Sequence, residues 1–480
     1  MLKHTIRYEW ISLLRDRWGL ILSILFFALT VFALRNANEK INVRVLSISK
    51  EQAKVEKIDA QFVADIDSVN NKLKAPPKES WLDPRSLTNF AWDAPRVVAM
   101  SPQPLAIVST GQSDLFTHYV RPKIYGEAYT LGFSELSNPV QLLFGSFDLA
   151  FVCIYLLPLL ALALSYNILS SEKESGILKL TFSQPVGLYR WLFHKLMLRF
   201  AFLSVVVILS ITIGLLIFGV DVAANLSTWF KLISMLLFYL FFWFVVALLV
   251  NLFGQSSGHN AITAVSIWLV FVLLIPSVIS QLSTRLNPVP SRIAMMHKYR
   301  VASAEAGKRA DEIFKNYLRD HPELAARDTT KENQYQWILN YFASSEIVNQ
   351  SVKPIVDSYY TALNKQQQWV DNLRFLSPAI LLQNSLNELA GTSTAHYAAF
   401  RKEVLDFADV WKNYFKPRMF ANELMQSSDI AQLPKPSNST AKVESRYKAD
   451  FLGLVIFILV AFAGSVLAHR RVTSGGLVFN

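Results

Sequence analysis

Six long runs of apolar residues divide the chain, and polar segments of very different length separate them. The hydrocarbon core of a bilayer is about 30 Å thick and is crossed by roughly 20 residues of α-helix. The first and last runs are at the short end of that range. A buried helix of a soluble protein can imitate one such run, but six of them indicate a polytopic α-helical membrane protein. The runs are residues 18–34, 147–169, 200–220, 229–252, 261–282 and 451–468.

Two of the segments between the runs are long enough to form domains. Residues 35–146 open with KINVRVLSISK, whose alternation is typical of a β-strand. A polar stretch with helical character and then a Pro-rich stretch with short strands follow it. Residues 283–450 contain charged segments with helical spacing, such as ENQYQWILNYFASSEIVNQ, and end in the linker QLPKPSNSTAK. The predicted fold is therefore all-α in the membrane, with a mixed α+β insertion after span one and a helical insertion between spans five and six.

Basic residues near the span ends predict the orientation, because loops rich in Lys and Arg stay in the cytoplasm. With six spans, all of these basic ends fall on one side, so both termini are predicted to be cytoplasmic. Residues 147–282 then hold spans two to five with a cytoplasmic loop at 170–190, span six ends at 469, and residues 470–480 form a cytoplasmic tail. The basic residues are Lys3, Arg7, Arg15, Arg17, Lys173, Lys179, Arg190, Lys195, Arg470 and Arg471.

The first apolar run has an alternative interpretation as a cleaved signal peptide. A long basic segment precedes it, and FALRNANEK offers only a poor small-residue cleavage site, so an uncleaved anchor is favoured. The single cysteine, Cys153, lies within the second run and cannot form an intramolecular disulfide. Insertions without disulfides favour a bacterial cytoplasmic (inner) membrane over a eukaryotic cell surface.

Composition and motifs exclude several classes of function. Hydrophobic residues make up 52% of the 480 positions and charged residues 17%, and the net charge of +11 is dispersed, which argues against nucleic-acid binding. The histidines are scattered without metal-ligand spacing, and no GxSxG or GxxxxGK[ST] motif occurs. The centres of the spans contain no Asp, Glu, Lys or Arg, which argues against ion-coupled transport. We therefore expect a protein that is not an enzyme and binds no cofactor or metal, with its energy supplied from the cytoplasm.

The N-terminal segment 1–17, LKHTIRYEWISLLRDRW after the first Met, predicts an amphipathic helix in the membrane interface. Apolar residues including Trp10 recur at steps of three and four, opposite Lys3, Arg7 and Arg15. A plain membrane-surface anchor and a helix that docks on a partner fit this pattern equally well.

The loop 170–190, SSEKESGILKLTFSQPVGLYR, predicts a short helix across the cytoplasmic ends of two spans. Ser170 or Ser171 is expected to cap it, with two acids in the first turn, where the helix dipole favours them. A glycine then interrupts the helix, leucines form an apolar edge, and a proline ends the segment. By residue types alone, an ordinary connector fits as well as a coupling element. The residues of interest are Glu172, Glu174, Gly176, Leu178, Leu180 and Pro185.

This loop resembles a motif of a known family. SSEKESGILKLTFSQPVGLYRWLFHKL is similar to the E-x-E-x-G-x-L-x-L-x-x-S-x-P pattern between the second and third spans of ABC transporter permeases of the type-2 exporter superfamily. AWDAPRVVAMSPQPLAIVSTGQSDL and FLSPAILLQNSLNELAGTSTAHYAAF resemble a subgroup with two large extracytoplasmic insertions. The second of these insertions is a domain of unknown function between spans five and six. Ile177 departs from the pattern, since relatives commonly have Thr there.

The resemblance implies a half-transporter without an ATPase of its own. Two such permease subunits, identical or paralogous, would associate in the lipid bilayer with two separate ATP-binding subunits, which would bind the ATP. The loop with Glu172, Glu174, Gly176, Leu178, Leu180 and Pro185 would be the coupling helix, beside the N-terminal interfacial helix. Two alternatives stay open: a permease that moves envelope partners without passing a substrate, and a membrane enzyme or receptor whose insertions carry the activity.

Overall fold

The computed structural model describes most of the chain. The described residues are 9, 11, 15, 17–79, 82–111, 117–122, 124, 147–178, 187–253, 256–322, 334–436 and 445–474. They are predominantly helical. Six helices are long and apolar enough to cross a membrane, and each overlaps one of the six predicted runs. We call them spans one to six: Arg17–Asn70, Leu149–Glu174, Leu188–Ile217, Leu226–Phe253, Ser257–Leu286 and Tyr447–Arg470.

The six helices form a bundle with two ends. The terminal end carries the first residues of span one, the last residues of span six and the connections between spans two and three and between spans four and five. The insertion end carries both large insertions. Span four lies at the centre, since 72% of its most apolar stretch is buried, whereas the corresponding value for span five is 17%.

Span one continues as a single 54-residue helix from the membrane into the first insertion. The prediction of a strand at KINVRVLSISK is therefore wrong. Its buried positions Arg44, Ile48, Val55, Ile66 and Val69 are spaced as on one face of a helix. The alternation of apolar and polar residues in KINVRVLSISK is compatible with this helical face as well as with a strand. Packing against the rest of the insertion therefore decides between the two structures.

The rest of the first insertion contains few strands among its described residues. Helix α1 spans Leu87–Asp93, and a 3-10 turn covers Ala106–Val108. Strands β1, Val98–Ala99, and β2, Tyr119–Val120, form a two-stranded antiparallel sheet with Val98 opposite Val120. The predicted mixed α+β character is thus reduced to two strands of two residues each in the part that the structure describes.

The second insertion is helical where it is described, as predicted. Helix α4 is its longest element and contains Pro354, and a 3-10 turn at Arg374–Leu376 joins it to α5. The helices are α2 Arg292–Lys308, α3 Ala310–Asp320, α4 Gln336–Leu373, α5 Pro378–Ala390, α6 Thr394–Phe420 and α7 Ser427–Ala431.

The two insertions share one hydrophobic core. Leu87 and Phe90 of the first insertion pack in the same cluster as Phe342, Trp411 and Phe415 of the second, and each of these five side chains is almost fully buried. Large buried aromatic side chains dominate the energetics of such a core. The insertions therefore form one body outside the bundle, while α5 belongs to the core of the membrane helices.

Candidate functional site

Span two is interrupted near the terminal end of the bundle. Its helix stops at Ala163 and resumes as a short helix at Ile168–Glu174. Asn251 of span four is fully buried and accepts a hydrogen bond from the N–H of Leu169 at 3.0 Å. Its side-chain amide donates to the carbonyl of Ser165 at 2.8 Å. A break in a membrane helix needs such partners because lipid offers none, so Asn251 fixes the short helix to span four.

The predicted cap of the short helix is wrong. The N-cap position is Asn167 rather than Ser170 or Ser171. Ser170 is buried, and its hydroxyl lies 3.0 Å from that of Ser257 at the start of span five. Its side chain thus joins two helices instead of capping one. The two acids consequently lie in the last turn, where the helix dipole disfavours them unless partners compensate.

Glu172 has such a partner in span three. Its carboxylate forms an ion pair with Lys195, whose side chain is only 8% exposed. The ammonium of Lys195 also lies 3.4 Å from one carboxylate oxygen of Glu9. The other carboxylate oxygen of Glu9 lies 2.8 Å from the guanidinium of Arg199. We call Glu9, Glu172, Lys195 and Arg199 the buried ion cluster. It contains two acids and two bases, so every charge has an opposite neighbour, and it ties the N-terminal segment, the 168–174 helix and span three together.

Glu174 has its partner in span five. Its carboxylate accepts hydrogen bonds from the backbone N–H of Ser257 at 2.7 Å and from the Ser257 hydroxyl at 2.8 Å. An acidic side chain that accepts N–H groups in the first turn of a helix stabilises that helix end. The 168–174 helix is therefore connected to spans three, four and five through polar contacts.

Gly176 ends this element in a conformation that suits glycine. Its φ angle is +76°, and a Cβ added there would meet no heavy atom of the described residues within 4 Å. Of the next two residues, Ile177 is 49% exposed, whereas Leu178 is buried in the core of the bundle. Lys173 and Ser175 are also exposed. Lys173, Ser175, Gly176 and Ile177 form an open surface at the terminal end, which we call the loop surface.

Of the remaining predicted site residues, the structure describes only Arg15. Arg15 is helical and exposed. Leu180 and Pro185 of the loop lie outside the described residues, as do Lys3, Arg7 and Trp10 of the N-terminal segment.

Sequence reasoning missed the partners that give the acids their geometry. These are Glu9, Lys195, Arg199, Asn251 and Ser257. Some signals were present: Glu9 is an acid in a basic segment, Lys195 and Arg199 are spaced by four at the start of span three, and Asn251 interrupts an apolar run. These signals do not indicate which span each residue contacts.

Metal-binding chemistry is not indicated by the described residues. Within the described ranges, no three His, Cys, Asp or Glu side chains are arranged to hold a metal ion. Cys153 is buried in the apolar part of span two.

Comparison with known proteins concerns the second insertion. Residues 292–436 match DUF3526, a domain of unknown function. The matched segment contains α2 to α7. No curated protein matches the chain.

Proposed function

We propose that the chain is the membrane-spanning subunit of an ATP-driven ABC exporter of the type-2 superfamily. A separate ATP-binding subunit docks on the loop surface, and both termini face the cytoplasm of a bacterium. The observation that carries this proposal is the 168–174 helix. It is open to a partner on one side and is connected to three spans on the other.

The contacts suggest how force reaches the membrane. A partner that pushes on the loop surface moves a short helix that cannot slide freely, because Glu172 is paired with Lys195 and Glu174 holds Ser257. Movement is then passed to spans three and five together. A loop without such contacts would absorb the displacement by changing its own backbone angles.

Two further features support an ABC permease. The DUF3526 match is consistent with the insertion expected between spans five and six. Span five exposes apolar residues such as Ile262 and Val278 along most of its length. This face is available to lipid or to a second permease subunit, identical or paralogous.

One observation favours the alternative in which the chain moves envelope partners without passing a substrate. Span one is a single helix whose residue Leu34 is buried in the bundle and whose residue Ile66 is buried in the core of the insertions. Tilting this helix therefore moves both bodies. Uptake of candidate substrates into inverted vesicles distinguishes the two functions, since only an exporter accumulates them.

The proposal predicts that the purified chain has no ATPase activity of its own. Hydrolysis should appear when the ATP-binding subunit that copurifies with the tagged chain is present, because only that subunit contacts nucleotide. Phosphate release measured with and without the subunit checks this. Robust turnover by the isolated chain would contradict the proposal.

A further inference from the structure

A cavity of about 370 Å³ lies at the insertion end of the bundle, far from the loop surface. One wall is apolar and comes from spans two and five, with Ile154, Tyr155, Val272 and Ile279. A second wall is polar and comes from α4, α5 and the residues around the start of span six. Its side chains include Asp371, Gln383, Asn387, Glu388 and Arg446.

The apolar wall is shaped by an irregular turn in span two. A π-helical turn covers Val152–Leu156, and Pro158 follows it. Pro158 has no N–H to donate to the carbonyl of Ile154, four residues earlier. The hydroxyl of Tyr239 in span four donates to that carbonyl instead, at 3.0 Å. The irregular backbone is thereby stabilised next to the cavity.

Span five contributes a similar irregular turn to the same wall of the cavity. A π-helical turn covers Leu269–Leu274, and Pro276 follows it. The hydroxyl of Ser377, just before α5, donates to the carbonyl of Phe271 at 2.6 Å. π-helical turns are rare and occur frequently at functional sites. Two of them beside one cavity indicate that its shape is a specific feature of this bundle.

The polar wall carries more negative than positive charge. Three carboxylates and one guanidinium line the cavity. Asp371 pairs with Arg446, and Asp450 pairs with Arg374 at 2.6 Å. Among the described residues, Glu388 forms no ion pair. Its carboxylate accepts hydrogen bonds from the hydroxyl of Ser445 and, at 3.0 Å, from the N–H of Arg446.

We propose that this cavity binds an amphipathic molecule with a primary ammonium group. The ammonium donates to the carboxylate of Glu388, and the apolar tail lies against spans two and five. An anionic amphiphile would meet an excess of carboxylates. An uncharged one would leave the Glu388 carboxylate without an ion pair among the described residues, with only its hydrogen bonds to Ser445 and Arg446.

The position of the cavity agrees with this class of ligand. It lies where the apolar bundle meets the polar insertions, so the ligand would have its tail at membrane depth and its head group outside. Span five, which forms part of the apolar wall, is only 17% buried in its most apolar stretch, so it also exposes apolar surface on the outside of the bundle. Binding does not require the ATP-binding subunit, so the inference stands or falls separately from the proposed function.

Calorimetric titration of the full chain in phosphatidylcholine nanodiscs tests this inference, with empty discs as the blank. Dodecylammonium should bind saturably, and dodecanoate should bind at least roughly tenfold more weakly. Glu388→Gln should weaken dodecylammonium binding to a similar extent. Glu312→Gln, an exposed acid on α3, should bind like the parent chain.

A second, steric variant is needed because Glu388→Gln could weaken binding by disturbing the fold. Ile380 lines the cavity and is half-buried, so Ile380→Trp fills space without removing a charge. It should also abolish saturable dodecylammonium binding. Equal binding of the ammonium and the carboxylate, or unchanged binding by both variants, would overturn the inference.

The ligand can be a free amphiphile or a lipid, and the disc composition distinguishes these sources. Phosphatidylethanolamine has a primary ammonium, whereas phosphatidylcholine has none. If a lipid is the natural ligand, added phosphatidylethanolamine should weaken the apparent affinity for dodecylammonium by competition. An unchanged affinity assigns the cavity to free amphiphiles.

Discussion

Lys195→Met will destabilise the chain strongly, because the buried ion cluster then contains two acids and one base. Lys195 contacts both Glu9 and Glu172, and its side chain is 8% exposed. Removing one partner from a buried ion pair leaves an uncompensated charge and costs about 3–5 kcal/mol. Thermal inactivation of the purified chain in nanodiscs should show a clearly lowered midpoint.

Two comparisons make this prediction specific. Lys173→Met removes the same charge from the exposed face of the 168–174 helix and should change stability by only about 0.5 kcal/mol or less. The double variant Glu172→Gln/Lys195→Met restores equal numbers of acids and bases and should recover part of the loss. Additive losses in the double variant would show that the two side chains are not energetically coupled.

Gly176→Trp will abolish association with the ATP-binding subunit while the chain still folds. A Cβ at this position meets nothing within 4 Å among the described residues, so we expect the clash to arise with a docked partner. The φ angle of +76° adds strain of about 1–2 kcal/mol for any other residue. Copurification of the ATP-binding subunit with the tagged variant measures the effect.

Gly219 provides a matched control for this substitution. It also has a φ angle of +76° and open space around a Cβ, but it lies at the insertion end, between spans three and four. Gly219→Trp therefore introduces the same backbone strain without touching the proposed docking surface, and it should copurify normally. Equal loss in both variants would assign the effect to strain, and no loss at Gly176 would remove this residue from the interface.

The membrane part of the fold was predictable because its signal is local. A run such as 229–252 needs no knowledge of other helices, and span four is observed at Leu226–Phe253. The strand predicted at KINVRVLSISK failed for the opposite reason. Its local pattern was compatible with two structures, and the choice was made by distant residues that bury Ile48 and Val55 on one helical face.

The same difference between local patterns and contacts with distant residues applies to the candidate site. Glu172, Glu174 and Gly176 were found because they lie close together in one motif. Their partners Lys195 and Ser257 lie 23 and 83 positions away along the chain. Pairing them requires knowing which spans are neighbours, which a single sequence does not contain. The cap predicted at Ser170 failed because its hydroxyl instead lies beside that of Ser257 on another helix.

The central claim is that the loop surface is where the ATP-binding subunit docks, and site-specific cross-linking tests it most directly. The chain has a single cysteine, Cys153, and it is buried, so an introduced cysteine is the accessible thiol. Lys173→Cys places this thiol on the loop surface, and Ala223→Cys places it on the exposed loop between spans three and four. With a short thiol-reactive cross-linker, the copurified complex should yield a covalent adduct from position 173 and none from position 223. An intact complex that gives no adduct at 173, or equal adducts at both positions, would contradict the claim.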